Sequence, residues 1–418
     1  MNQPSLFYPS EETLPYKRIR DISWDFRGIP ASEGIYRIHP YPAMFHFLVV
    51  RRILKEYSRK GAWVLDPFMG SGVAATEALL LGRNFVGYDL NPLAVEIARV
   101  RTTPLEVAQV EKTLAFLAEV YPEASEGYIP SVPNLTYWFA PETIRGLARL
   151  HTAIQQIPDR AMARFFWVAF SETVRETSLA DAKEFKLIRR KSRPSSEVWS
   201  MFVRIVKKNV EAFHTFTIPS HPKVHLSLEC ANALHVLKTL PEESFDMIVT
   251  SPPYGDSRTT VAYGQFSRLS LWWLGYPEAG NLDSRLLGGH RRPLHPDLPS
   301  PVLYEALQKI ADKNRKRAEE VFSFYSDLWE VIQDMAPLLK KGAFAFVLVG
   351  NRRVKGVELP TDKIVADFFE AMGYVHEATY VRRISNKRMP AQNSPSNVVG
   401  QRDTTMRYEY LVHLRRVS

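Results

Sequence analysis

Hydrophobic and polar positions follow two regimes along this chain. Residues 62–65 form a short apolar run that stops at Asp66, residues 73–81 have helical spacing closed by Gly82, and residues 84–89 read as a second strand. Strand, glycine loop, helix and strand in such close succession form a βαβ unit, which predicts a parallel sheet covered by helices on both faces. A helical pattern over 43–57 precedes this unit. Strand signals then vanish from 103 to 221, where 142–157 and 161–177 have helical spacing. They resume with a strand over 224–228, a helix over 233–239 and a buried-strand run over 245–250. A Gly/Pro/His-rich stretch at 256–301 reads as irregular. After it come a long charged helix (304–339), a strand (343–349), a helix (362–372) and two extended segments (374–384 and 406–414). The pattern predicts one α/β, doubly wound sheet. Its parts are an irregular arm (1–34), a first βαβ part (35–103), a helical insertion (104–221) and a second part (222–418) carrying the polar stretch.

Composition narrows the class. Across 418 residues, 45% are hydrophobic and 24% charged, which excludes a disordered or collagen-like chain. No run approaches the roughly 18 apolar residues that span a bilayer, so no membrane role is expected. The start, Met-Asn-Gln-Pro-Ser, has neither the basic residues nor the apolar core of a secretory signal. The single cysteine, Cys230, cannot form an internal disulfide, and a reducing cytoplasm is the expected setting. The net charge is +9, and most of it is local: residues 183–208 carry nine basic side chains against Glu184 and Glu197. A charge run alone is most often a solvated helix face. Near a nucleic-acid site it is a phosphate-binding surface.

Two motifs carry the chemistry. The first is Asp66-Pro67-Phe68-Met69-Gly70-Ser71-Gly72, on a strand-to-helix turn. Gly70 and Gly72 let backbone approach a ligand, and the following helix directs its first N–H groups there. Asp89 ends the next strand, where a carboxylate can accept from both hydroxyls of a ribose. A nucleoside cofactor is implied, and Gly70, Gly72 and Ala75 also fit the relaxed dinucleotide pattern. The second motif is Ser251-Pro252-Pro253-Tyr254, directly after the strand at 245–250. Two prolines cannot continue a central strand, so the chain leaves the sheet at its carboxyl edge. A hydroxyl, a carbonyl and an aromatic plane there suit a planar amine.

Together these motifs resemble the bacterial S-adenosylmethionine-dependent DNA methyltransferases that act on exocyclic amines, cytosine N4 or adenine N6. The resemblance implies a Rossmann-like class I methyltransferase sheet. It implies that Asp66, Phe68, Gly70 and Gly72 hold the methionine part of the cofactor and that Asp89 holds the ribose. His39 lies in what looks like the family's additional cofactor-contacting segment. Where the family often has an Asp at the cofactor's adenine, this chain has Asn232, which can still accept through its side-chain oxygen. Ser251, Pro252, Pro253 and Tyr254 would hold a base flipped out of double-stranded DNA. Loops that begin with Ser lean towards cytosine N4, and adenine N6 is the alternative.

Methylation at cytosine C5 would need a cysteine beside the base. Cys230 instead lies well before Ser251 in the chain and is expected to be a buried, inert thiol. Lys186, Arg189, Arg190, Lys191 and Arg193 are the candidate DNA contacts, with Phe185, Trp199 and Phe202 interleaved. The polar stretch, with His290, Arg291, Arg292 and His295, is a second candidate. His290 and His295 lack the further ligand pair of a zinc site, so no metal is expected. A restriction endonuclease with the same target is the expected partner. The more distant alternative is a tRNA guanine amino-methyltransferase, whose related loop also continues into a glycine, here Gly255. Those enzymes carry an RNA-binding domain ahead of the cofactor loop, and the 65 residues before Asp66 are too few for one.

Overall fold

The computed structural model describes residues 16–181, 184–190, 197–216, 218, 224–255, 261–384, 392–393, 403–404 and 406–418. In chain order the strands are β1 (Arg18–Arg20), β2 (Trp63–Asp66), β3 (Asn84–Asp89), β4 (Leu226–Cys230), β5 (Phe245–Thr250) and β6 (Leu339–Val349). A hairpin follows, β7 (Arg352–Val354) with β8 (Val357–Leu359). Then come β9 (Tyr374–Arg383), the short pair β10 (Gln392–Asn393) and β11 (Asp403–Thr404), and β12 (Tyr408–Arg416). Eight of these make the main sheet, in the order β1-β9-β12-β6-β5-β2-β3-β4. Within it β12 runs antiparallel to both neighbours, β6 and β9, and the other pairings are parallel. From β2 the chain builds outward to β3 and β4, then returns to place β5 on the other side of β2. That reversal puts a topological switch point between the carboxyl ends of β2 and β5, the place where open α/β sheets bind ligands. An open, doubly wound sheet with one antiparallel strand is the class I methyltransferase arrangement the sequence implied.

Neighbouring residues of each central strand serve opposite faces. Val64, Phe85 and Met247 enter one core, and Leu65, Val86 and Ile248 enter the other. The first core is covered by α1 (Phe47–Tyr57), α2 (Val73–Leu81) and α3 (Pro92–Thr102). It extends into a helical block between α3 and β4: α4 (Val107–Val120), α5 (Leu135–Trp138), α6 (Pro141–Gln155), α7 (Arg160–Thr177) and α8 (Val198–His214). After β4 come α9 (Ala233–Val236), α10 (Tyr263–Trp273) and α11 (Leu282–Arg285). The second core is covered by α12 (Pro301–Ala311), α13 (Arg315–Met335) and α14 (Thr361–Glu370). Helix α2 is apolar on every side because it is buried from Val73 to Leu79. Its one carboxylate, Glu77, is matched inside by Arg51 (2.7 and 2.8 Å) and the Tyr36 hydroxyl.

Four expectations change in detail. The helix expected from 43 begins at Phe47: Ala43 is left-handed (φ +51°), and the His46 ring accepts from Leu48 N, capping the helix there. The single charged helix over 304–339 is two, because Asn314 caps α13 by accepting from Arg317 N. The polar stretch contains α10, whose Phe266, Leu269 and Trp273 are buried. The arm, read as irregular, contributes the edge strand β1 and buries Trp24. Arg18 in β1 makes a two-pronged ion pair with Asp362 at the start of α14 (2.7 and 2.9 Å).

Candidate active site

At the switch point lies a cleft of about 910 Å³, partly open to solvent. Asp66 closes β2. Its Oδ1 accepts from Phe68 N (3.0 Å) and from the Thr250 hydroxyl (2.6 Å), so one buried carboxyl ties the ends of β2 and β5 together. Burial pushes that carboxyl up to about 7, against the two hydrogen bonds, and the nearby Asp89 adds to the rise. Asp89, at the end of β3, accepts from Gly70 N (2.9 Å) and Asn91 N (2.8 Å). Burial still lifts it to about 6. Each of its oxygens keeps a lone pair for a further donor.

Phe68, Gly70 and Ser71 line the cleft with both carboxylates. Gly72 does not. It has φ +78°, and a Cβ built there would stand 2.4 Å from Ala98 Cβ in α3. Its missing side chain lets α2 and α3 meet, a different reason from the close ligand approach expected of it. Beneath the loop lies Arg101, fully buried, donating to Ser71 O (2.7 Å), Ser71 Oγ (2.8 Å) and Tyr36 O (2.9 Å). Burial lowers its pKa to about 10, so it stays cationic at neutral pH. No motif in the sequence marks it.

The facing wall is the turn ahead of α1: Tyr41, Pro42, Ala43, Met44 and Phe45. His39 is not part of that wall. It is buried against α7, with its ring nitrogens on Pro40 O (2.8 Å) and Ser171 Oγ (3.0 Å). Burial, with the nearby Lys208, depresses its pKa to about 3, so it is a neutral core histidine. Beyond β4, Asn232 lines the cleft and caps α9 through Oδ1, which accepts from Leu234 N at 3.1 Å. The expectation for Cys230 fails in one respect. The residue is exposed, because β4 is the outer strand on that side of the sheet. Burial of the thiol itself and the charge of Asp89 nonetheless raise its pKa.

Ser251 and Pro253 line the cleft beyond β5. The Ser251 hydroxyl donates to Leu348 O in β6 (3.1 Å), so its oxygen is left to act as an acceptor. Pro252 is buried in the turn, and Tyr254 sits outside the cleft lining with its hydroxyl on Glu409. Tyr263, at the start of α10, also lines the cleft; sequence reasoning missed it because its surroundings read as irregular.

Of the basic candidates, Lys191 and Arg193 lie outside the described residues. Lys186 is exposed. Arg189 donates to Tyr137 O (2.8 Å) and packs over the Tyr137 ring, and Arg190 pairs with Asp181. Trp199 stacks on Tyr121, and Phe202 is core. Lys208 is held by both oxygens of Glu172 at 2.7 Å. The net charge of this segment is therefore less available than its sequence count suggests.

With the cleft described, the relatives fall into place. Residues 8–100 match the N6/N4 methyltransferase family, described as DNA methylase. The chain is 32% identical over 425 residues to type II methyltransferase M.MvaI of Kocuria varians, covering 93% of both proteins. It is 24% identical to M.BsoBI of Geobacillus stearothermophilus, over 59% of this chain and 54% of that one. Superposition on solved structures is loose: an S-adenosylmethionine-dependent methyltransferase of Methanosarcina mazei, 10% identical, covers 91% of this chain and 99% of its own with a TM-score of 0.30. The fold class rests on the strand order instead. This chain belongs to the type II DNA amino-methyltransferases, the family that modifies cytosine N4 or adenine N6.

S-adenosylmethionine is the cofactor of that family, and the cleft fits it. The space is elongated, with Asp66 and the glycine loop at one part, Asp89 at the middle and Asn232 at the other side. Aromatic walls (Tyr41, Phe68, Tyr263) flank it, and backbone already satisfies one lone pair of each carboxyl. When bound, the cofactor supplies an electrophilic methyl group on a sulfonium.

Proposed function

We propose that this methyltransferase modifies the exocyclic N4 amine of a cytosine flipped out of duplex DNA. The observation that carries the reading is Ser251. Its hydroxyl hydrogen is committed to Leu348 O, so the oxygen faces the cleft as a neutral, short acceptor for an N–H. An acceptor on the amine draws its hydrogen and returns lone-pair density from the ring to nitrogen, which is what attack on a methyl group requires. Pro252 and Pro253 fix that acceptor in place, and Tyr254 offers its ring to the base. Asp66, Phe68 and Gly70 hold the methionine end of the cofactor. Asp89 takes the ribose hydroxyls, and Asn232 serves the adenine with the Nδ2 donor and the second lone pair of Oδ1. Residues 104–221 form a separate functional part that contacts DNA, with Lys186, Arg189, Arg190, Lys191 and Arg193 as its basic face. The protein acts in the cytoplasm, marking the sites that a companion endonuclease would cut.

Nucleoside mass spectrometry on DNA from cells expressing the protein tests the base. N4-methylcytosine is the expected product. N6-methyladenine alone overturns the base assignment but leaves the cleft chemistry standing, and methyl groups confined to RNA overturn the substrate. Ser251→Ala should lower the single-turnover rate by about 10-fold, as for one lost hydrogen bond of about 1.4 kcal/mol, with DNA affinity little changed.

A further inference from the structure

Among the described residues eight large hydrophobic side chains are exposed, and three of them, Tyr137, Phe185 and Ile188, gather at one place. Phe185 and Ile188 sit on a hairpin. Its legs pair through Asp181 N to Ile188 O (2.8 Å), Arg190 N to Leu179 O (3.0 Å) and the antiparallel bridge of Ala180 with Arg189. Arg189 then covers the Tyr137 ring. Exposed apolar side chains on a surface hairpin are costly unless a partner covers them.

The hairpin is anchored beside the cleft. Buried Arg175 donates to Phe266 O (3.0 Å) and to Glu184 O, with its guanidinium over the Phe266 ring at 4.2 Å. Leu187 N donates to Gln265 Oε1 (3.3 Å). Both contacts fix the hairpin to the first turns of α10, the helix that follows the Ser251–Tyr254 loop and whose Tyr263 lines the cleft. Phe185 meets the Phe266 ring edge-on at 6.1 Å, and Phe266 meets Tyr41 of the cleft wall at 5.9 Å. Charge specifies the partner: residues 181–193 hold six basic side chains against two acidic ones, and Lys186, next to Phe185, is exposed.

We propose that this hairpin is a wedge for the DNA base stack, with Phe185 filling the space that the flipped nucleotide leaves. The inference rests on the flipped-base reading above. Apolar side chains inserted between bases are a general device for holding an opened stack, and basic neighbours hold the phosphates on either side. Rigid attachment through Arg175 spares the hairpin the entropy of ordering when it enters.

The test compares two duplexes carrying the site at which the parent enzyme methylates DNA. In one the target base has its normal partner. In the other it faces an abasic position, so that opening the pair is largely prepaid. Phe185→Ala should slow single-turnover transfer on the paired duplex by about 30- to 100-fold and on the abasic duplex by less than about 3-fold. Phe185→Leu should restore most of the paired rate. Cofactor affinity and melting temperature should match the parent, since the side chain is exposed. Equal loss on both duplexes, or no loss on either, overturns the wedge. A parent enzyme that transfers to neither duplex overturns the reading on which the wedge rests, whereas a parent that marks adenine leaves the comparison valid.

Discussion

The Tyr254 hydroxyl donates to Glu409 Oε1 at 3.1 Å, which joins the loop after β5 to a strand 155 residues further along the chain. The other oxygen of that carboxylate pairs with buried Arg382 in β9, and Arg382 Nε donates to Trp24 O (3.0 Å) in the arm. The ring that is proposed to meet the base is thus oriented through three separate parts of the fold. Burial and the Glu409 charge raise the Tyr254 pKa well above the ordinary phenol value, so the ring stays neutral across the working pH range. Tyr254→Phe keeps the ring and loses the tie, and should lower kcat/KM by about 5-fold, the worth of about 1 kcal/mol. Tyr254→Ala removes the stacking plane, worth about 1–3 kcal/mol per base, and should cost about 10- to 100-fold. Steady-state kinetics of both variants on one duplex gives the comparison. Equal losses would mean the ring itself contributes nothing.

Cofactor affinity should depend on pH through Asp66 and Asp89. Both carboxyls titrate above their unfolded value of about 3.9, at about 7 and about 6, because burial dominates. Between those limits the folded protein holds more protons than the unfolded chain. Stability of the unliganded protein should therefore fall as pH rises from about 4 to about 7. Affinity for the cationic cofactor should rise across the upper part of the same window, as the carboxylates ionise. Calorimetric titration at pH 5.5 and 8 measures this; equal affinities would show that neither group ionises in contact with the ligand.

Gly72→Ala should damage the fold before it damages binding. The new Cβ meets Ala98 at 2.4 Å and also sits on a left-handed residue. Overpacking and the backbone penalty together should destabilise by about 3 kcal/mol. Adding Ala98→Gly removes the steric part and should recover some of it. Thermal unfolding of the single and double variants decides the matter, with an unrecovered double variant pointing to the backbone alone.

Arg101→Met should uncouple the glycine loop from α3. It leaves Ser71 O and Tyr36 O without their buried donor, at about 1–3 kcal/mol for each unsatisfied group. Denaturant unfolding should show that loss, and cofactor affinity should fall with it because Ser71 lines the cleft. Unchanged unfolding would show that water replaces the guanidinium at no cost.

Much of the site was legible because its parts are local. The run from β2 through the glycine loop to α2 and β3 is continuous in sequence, and α2, β3 and β5 begin and end where the pattern put them. Asp66 and Asp89 end strands, which an apolar run followed by a carboxylate already announces. What escaped depends on distant partners. His39 looks functional in sequence but is held by Ser171, 132 residues on. Glu409 acquires its role only when β12 enters the sheet beside β9 and β6. Arg101 and Tyr263 carry no pattern at all, since burial of one arginine and the facing of one tyrosine follow from packing. The charge count over 183–208 misled for the same reason: it could not show that Glu172 and Asp181 were already waiting for Lys208 and Arg190.

The place of β12 also sets an order of assembly. It comes after every other strand in the chain, yet it lies between β6 and β9 and is paired along its length to both. As the chain is synthesised, those two strands exist for a time with the edges that β12 will cover still unpaired. Open edges of apolar strands are templates for wrong pairing, and this one spans Phe344 to Val349. The Glu409 acceptor for Tyr254 arrives on the strand that closes the gap. An incompletely made or slowly folding chain is therefore expected to be sticky and inactive together, and both faults end in the single step by which β12 docks.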